Sequence, residues 1–241
     1  MSSSAPSNAP MLPPGSQPIY QTWINAVTKP NEQTYAAIAV QPGAGAGKAF
    51  LWVFIASLVN TFFASLVQGA AMRNMMQQFN QNGGNYDFGP AAGGGIAAAL
   101  CGAPIAAVIS VLFFAVSVGL TQWVAKLFGG RGDFNQLAFA FSAFTVPVAL
   151  INSVLVLLAA IPVAGLCFSI LSLGLFIYSL VLSVTAAKGV NQFSWGAAAG
   201  SVFLPALAIF LLCVCLAFVL AMVMGPAIGN VLSSINQSLA P

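Results

Sequence analysis

The sequence predicts an all-α integral membrane protein: five transmembrane helices, with short cytoplasmic interfacial helices at the N-terminus. Three observations lead there. Hydrophobic residues make up 59% of the 241-residue chain and charged residues 4%, against roughly 25% charged in an ordinary soluble domain. A soluble fold of this size needs a charged surface to stay dispersed, and six Lys or Arg with three Asp or Glu cannot supply one. The apolar residues also gather into five stretches. Each is long enough to cross a hydrocarbon core of about 30 Å, which takes about 20 helical residues.

The elements follow in chain order. Residues 1–19 are rich in Ser, Ala and Pro, with no basic start and no apolar core, so they read as a disordered leader and not as a signal peptide. Residues 20–46 form a cytoplasmic interfacial segment. Tyr20, Trp23, Ile24 and Val27 fall at helical spacing, and Lys29-Pro30 ends that pattern. Asn31 is placed to cap a second helix, with Glu32 in its first turn and Tyr35, Ile38 and Ala39 on one face. Both helices are predicted to lie along the membrane surface. The Gly43–Gly47 run is a short hinge. Its Gly47-Lys48 pair is no Walker A loop, because Pro42 and Ala49 stand where Gly and Ser or Thr are required.

Residues 47–225 hold the five spans: Ala49 to Ala71, a stretch between Gly94 and Ala125, Leu137 to Ala160, Val163 to Ala187, and Ala197 to Met224. Met72, Met75, Met76 and Phe79 extend the helical stripe of the first, before an Asn- and Gly-rich loop from Asn80 to Pro90. The tight link at Ile161-Pro162 forces spans three and four into an antiparallel hairpin. Residues 226–241 are predicted to be a short external tail.

Charge sets the expected orientation. With five spans, Lys29, Lys48, Lys126, Arg131 and Lys188 fall on one side and only Arg73 on the other. Cytoplasmic loops collect Lys and Arg, so the N-terminus is expected in the cytoplasm and the C-terminus outside. Arg131-Gly132-Asp133 then reads as a cytoplasmic turn with a local ion pair.

The composition also limits chemistry. There is no His, so no His-based triad, His metal ligand or imidazole shuttle is available. Glu32, Asp87 and Asp133 are the only carboxylate side chains, and none lies within a span. The four cysteines, Cys101, Cys167, Cys213 and Cys215, sit in apolar runs and read as small packing residues of buried helices. No catalytic residue, metal site, cofactor or nucleic-acid partner is expected. The partners expected are the lipid bilayer and membrane proteins or further copies of this chain. Four polar residues fall inside spans: Asn60, Gln68, Gln122 and Asn152. They read as interhelical hydrogen-bonding groups or, in the alternative, as the lining of a small-solute channel or transporter. An accessory subunit of a larger membrane complex is a third reading. Pro104, Pro147 and Pro205 interrupt spans and are expected to kink them.

Three stretches resemble the Yip1 domain family: Trp23 to Ala39, Ala125 to Pro147, and Tyr178 to Pro205. The second carries a Gly-Gly turn after span two, an aromatic residue, and then a helix interrupted by Pro. The eukaryotic members' Asp-Leu-Tyr-Gly-Pro motif is absent, so the resemblance is to a bacterial or archaeal member, in a prokaryotic plasma membrane. It implies five membrane helices, a cytoplasmic N-terminus and a non-enzymatic scaffold, organisation or assembly role through protein contacts. In eukaryotic members it implies membrane traffic with Rab-type GTPases. The motif positions are Pro30, Gly129, Gly130, Gly132, Phe134 and Pro147, with structural roles implied for each.

Overall fold

The computed structural model describes residues 18–81, 96–159, 161 and 165–239. Among these, seven helices follow in order: α1 (Ile19–Thr28), α2 (Glu32–Ala39), α3 (Ala46–Gln81), α4 (Ile96–Leu127), α5 (Phe134–Ala159), α6 (Gly165–Asn191) and α7 (Trp195–Leu239). No strand occurs among the described residues. The last five helices are long and apolar enough to cross a membrane, over Ala46–Gly69, Leu100–Leu127, Phe134–Ala159, Gly165–Asn191 and Trp195–Leu220. The chain is therefore an all-α, multi-pass membrane protein, as its composition predicts. The leader to residue 17 and the 82–90 part of the predicted loop lie outside the described residues. Asn80 still belongs to α3, and the backbone of α7 stays helical through Leu239, across the segment expected as a tail.

Local chemistry sets the boundaries. Asn31 caps α2 through its side chain, which accepts from the Thr34 N–H at 2.7 Å. At the start of α5 the Gln136 side chain reaches back to the Asp133 N–H at 3.2 Å, one half of a capping box. The ion pair expected between Arg131 and Asp133 is not formed; among the described residues the one ion pair joins Lys188 to Glu32. Asp133 is committed to the start of α5, and the turn before it is held by α4 and α6, as described below.

α5 is the central helix. In its most apolar window 39% of residues are buried, against 6% in those of α6 and α7. Lipid is as apolar as leucine, so helices associate in a membrane through close packing and small residues. Ala138, Ala140 and Ala143 of α5 are fully buried, as are Ala49 of α3, Ala107 of α4, Ala186 and Ala187 of α6 and Ala198 of α7. Cys101, Cys167 and Cys215 are exposed on helix surfaces, contrary to the buried packing expected of them. In a bilayer those surfaces meet lipid tails, where a thiol is tolerated as a small apolar group.

The entry helices lie at one end of the bundle, but not as a loose surface layer. Ala26, Tyr35, Ile38 and Ala39 share one hydrophobic core with α3, α5 and α6. The expected apolar stripe of α1 is split: Trp23 and Val27 pack against this core, while Tyr20 and Ile24 stay exposed. Thr22 and Ala26 are the buried positions. The last carbonyls of any helix lack intrahelical donors. In α1 the Tyr35 hydroxyl donates to the Ala26 carbonyl at 2.9 Å, and the Tyr178 hydroxyl of α6 donates to the Val27 carbonyl. The first bond ties α1 to α2, and the second ties α1 to the bundle.

Candidate functional site at the basic end of the bundle

α3, α5 and α7 begin at this end, and α4 and α6 finish here. Lys29, Lys48, Lys126, Arg131 and Lys188 are gathered with them. The Lys188 ammonium is ion-paired with Glu32 of α2 and lies 4.5 Å from the ring centroid of Trp195. The Lys48 ammonium lies 5.9 Å from the ring centroid of Trp52. The Lys29, Lys126 and Arg131 side chains are exposed.

Beneath these charges sits a buried amide cluster. The Gln122 side chain donates to the Gly132 carbonyl and to the Asn191 side-chain oxygen, the latter at 3.1 Å. Asn191 returns a bond to Gln122 at 3.4 Å, donates to the Ala187 carbonyl at 3.2 Å, and its own carbonyl accepts from the Arg131 N–H at 3.2 Å. α4, the α4–α5 turn and the end of α6 are thereby tied at one point. The glycines follow from that closeness. Gly129 takes a φ of +83°, a left-handed conformation that disfavours any side chain. A Cβ on Gly130 would sit 2.7 Å from the Asn191 side-chain oxygen, and one on Gly132 would sit 2.7 Å from Val190.

One crossing is tighter still. A Cβ on Gly189 of α6 would lie 2.5 Å from the Glu32 carbonyl oxygen and 3.0 Å from the Tyr35 Cβ. α2 therefore rests directly on the α6 backbone. Burial, and next the neighbouring Tyr178, push the Tyr35 phenol well above its ordinary pKa. An aromatic chain completes the packing. Trp23 meets Trp52 edge-on with centroids 5.6 Å apart, Trp52 meets Phe139 at 5.1 Å, and Phe50 meets Phe134 at 6.3 Å. The Trp23 indole N–H is buried with no hydrogen-bond partner among the described residues.

The four intramembrane polar residues are not brought together. At 1.5 Å per helical residue, Gln122, Asn60, Asn152 and Gln68 lie at roughly 8, 21, 27 and 33 Å from this end. Gln122 is buried and bonded; Asn60 and Asn152 are half-buried and Gln68 is exposed. Pro30 follows α1, Phe134 opens α5, and Pro147 lies inside α5, whose helix continues through it. Sequence reasoning missed Asn191. It stands two residues after Lys188-Gly189, and a lone Asn at a helix end reads as a cap until its partner is known.

The Yip1 domain family model matches residues 24–233. The chain belongs to the Yip1 domain family. The match begins within α1 and ends within α7, so it takes in the docked entry helix α2, the glycine turn and all five spans. No curated protein and no solved structure matches the chain.

This end of the Yip1 domain carries charged and amide side chains at its surface. Two shallow cavities flank the α2–α6 crossing. One, of ≈ 380 Å³, is lined by Glu32, Gln33, Lys188 and Gln192 among others. The other, of ≈ 210 Å³, is lined by Arg131, Gln136 and Gln192 among others. They present cations and amides on a surface whose backbone is fixed from below.

Proposed function

We propose that this Yip1 domain is a non-enzymatic membrane scaffold or assembly protein that engages partner membrane proteins, or further copies of itself, through the basic end of its bundle. That end faces the cytoplasm of a prokaryotic cell in this reading, with the C-terminus outside. The supporting observation is the combination of exposed Lys29, Lys126 and Arg131 with a rigid base: α1 and α2 docked through tyrosine hydroxyls, and the Gly129–Gly132 turn anchored to Gln122 and Asn191. Cations carried on an ordered backbone favour specific partners, because that backbone needs little further ordering on binding. A polar pathway through Asn60, Gln68, Gln122 and Asn152 is not favoured, since Gln122 is committed to its bonds with Gly132 and Asn191 while Gln68 stands exposed on the helix surface. The motif glycines act structurally in this reading, by permitting the turn and its contact with α6.

The test is site-specific photocrosslinking in native membranes. A probe at position 131 should yield discrete protein adducts, and a probe at lipid-facing position 113 should not. Lys29→Glu, Lys126→Glu and Arg131→Glu together should abolish the adducts while the chain still inserts. Adducts that survive the triple reversal, or that are shared with position 113, would sink the proposal. A reporter fused after Pro241 that worked only in the cytoplasm would overturn the orientation.

A further inference from the structure

A third cavity, of ≈ 310 Å³, lies away from the basic surface, where α4, α5, α6 and α7 meet. Counted along each helix at 1.5 Å per residue, its lining begins roughly 9 Å from the basic end at Thr121 and reaches roughly 21 Å at Val148 and Ile209. Those depths place it in one leaflet, within the hydrocarbon. Its walls are mostly aromatic and aliphatic, including Phe114, Phe141, Phe144 and Val148, and no charged side chain lines it.

Its polar groups are hydroxyls, and they divide into two kinds. Ser179 and Ser183 bond back to carbonyls of their own helix, at 2.7 and 2.8 Å. That is the usual way a hydroxyl is satisfied in lipid. Ser117, Thr121 and Thr145 line the cavity and make no hydrogen bond among the described residues. Thr121 is only 5% exposed. A hydroxyl left without a partner in an apolar setting is unfavourable, so an occupant that bonds it gains what the helix has not used. Ser117 and Thr121 stand one turn apart on α4 and so share a face, with Thr145 across from them on α5. Ser117 and Ile209 are exposed at membrane depth, so the cavity is open to lipid.

We propose that this cavity binds an uncharged amphiphile drawn from the surrounding leaflet. A carbonyl or hydroxyl head meets Ser117, Thr121 and Thr145, and an apolar chain runs past Val148 and Ile209. The absence of charge in the lining excludes an ionised head, which would be buried without a counter-charge. The cavity volume sits at the low end of ordinary ligand sites, which fits a head group with the first part of one chain. Diacylglycerols and isoprenoid quinones both carry this chemistry. The proposal does not depend on the docking role of the basic end.

The experiment uses the full chain in phospholipid nanodiscs with three photoreactive probes. These are a diacylglycerol, a quinone, and a phosphatidylcholine bearing its diazirine at the same chain depth. One neutral probe should label peptides containing Ser117–Thr121 and Thr145 at least fivefold more than the phosphatidylcholine, with saturation and displacement by its unlabelled form. Which neutral probe succeeds identifies the source. Thr121→Val with Thr145→Val should cut that labelling at least fivefold, while Ser169→Ala, at an exposed site on α6, should leave it unchanged. Labelling of the wild-type chain by both neutral probes no stronger than by the phosphatidylcholine overturns the proposal, whatever the variants do. So does undiminished labelling of a folded double variant.

Discussion

Replacing Gly189 by Ala puts one methyl group where the α6 backbone touches α2. The new Cβ would stand 2.5 Å from the Glu32 carbonyl oxygen and 3.0 Å from the Tyr35 Cβ, and ordinary contact begins at 3.4 Å. Neither neighbour is the tip of a flexible side chain, so α2 itself must retreat by roughly 1 Å. A gap of roughly 0.5–1 Å already loses a quarter to a half of each van der Waals contact across it. Overpacking of this kind typically costs about 1–3 kcal/mol. The docking equilibrium of α2 should then shift by roughly 5- to 150-fold. Hydrogen exchange of the full chain in nanodiscs reads this directly: the amides from Tyr35 to Ala39 should lose protection by that factor. Gly174→Ala and Gly196→Ala serve as controls, since a Cβ at either position meets nothing within 4 Å. Protection within twofold of wild type in Gly189→Ala, or equal loss in the controls, would refute the close-approach argument.

Asn191→Ala should lower stability by about 1–3 kcal/mol in a detergent melt, because it leaves the buried Gln122 amide short of its partner; Gln68→Ala, at an exposed position, should stay within about 0.5 kcal/mol of wild type. Trp23→Phe should melt at or above the wild-type temperature, since it removes an unpartnered buried N–H yet keeps a ring against Trp52, while Trp23→Ala should lose the ring pair, about 0.5–1.5 kcal/mol beyond its burial. Tyr35 supplies a pH test: its phenol titrates higher in the docked chain than in the undocked one, so docking is fully supported below about pH 10 and weakens as pH rises above it. Proteolysis of the α1–α2 segment should accelerate over that range, and Tyr35→Phe should flatten the pH dependence while costing about 0.5–1.5 kcal/mol for the lost bond to Ala26.

The spans were legible because a membrane crossing leaves a long local signal. All five are present in the structure, although α3 and α7 continue as helix past the expected ends of their spans, to Gln81 and Leu239. The Asn31 cap was legible for the same reason, since its partner is only three residues away. What could not be read depends on neighbours remote in sequence. Nothing local distinguishes an α2 that lies on lipid from one that rests on Gly189. The small residues at Thr22 and Ala26, rather than the larger ones at Tyr20 and Ile24, turned out to face the bundle. An apolar-moment argument misses this, because close approach selects for size as much as hydropathy. Asn191 and the unpaired hydroxyls of α4 and α5 likewise gain meaning only once four helices are set side by side. Gly130 and Gly132 could be recognised as a turn, but their contact with α6 could not.

The bond from Tyr178 to the Val27 carbonyl joins residues 151 positions apart. A ribosome adding roughly 5–20 residues per second needs about 8–30 s to travel between them. Throughout that interval α1 has been made, but the helix whose tyrosine donates to its Val27 carbonyl has not. The basic surface is therefore among the last parts of the molecule to be completed, and a chain halted before α6 lacks the Gly189 backbone on which α2 rests.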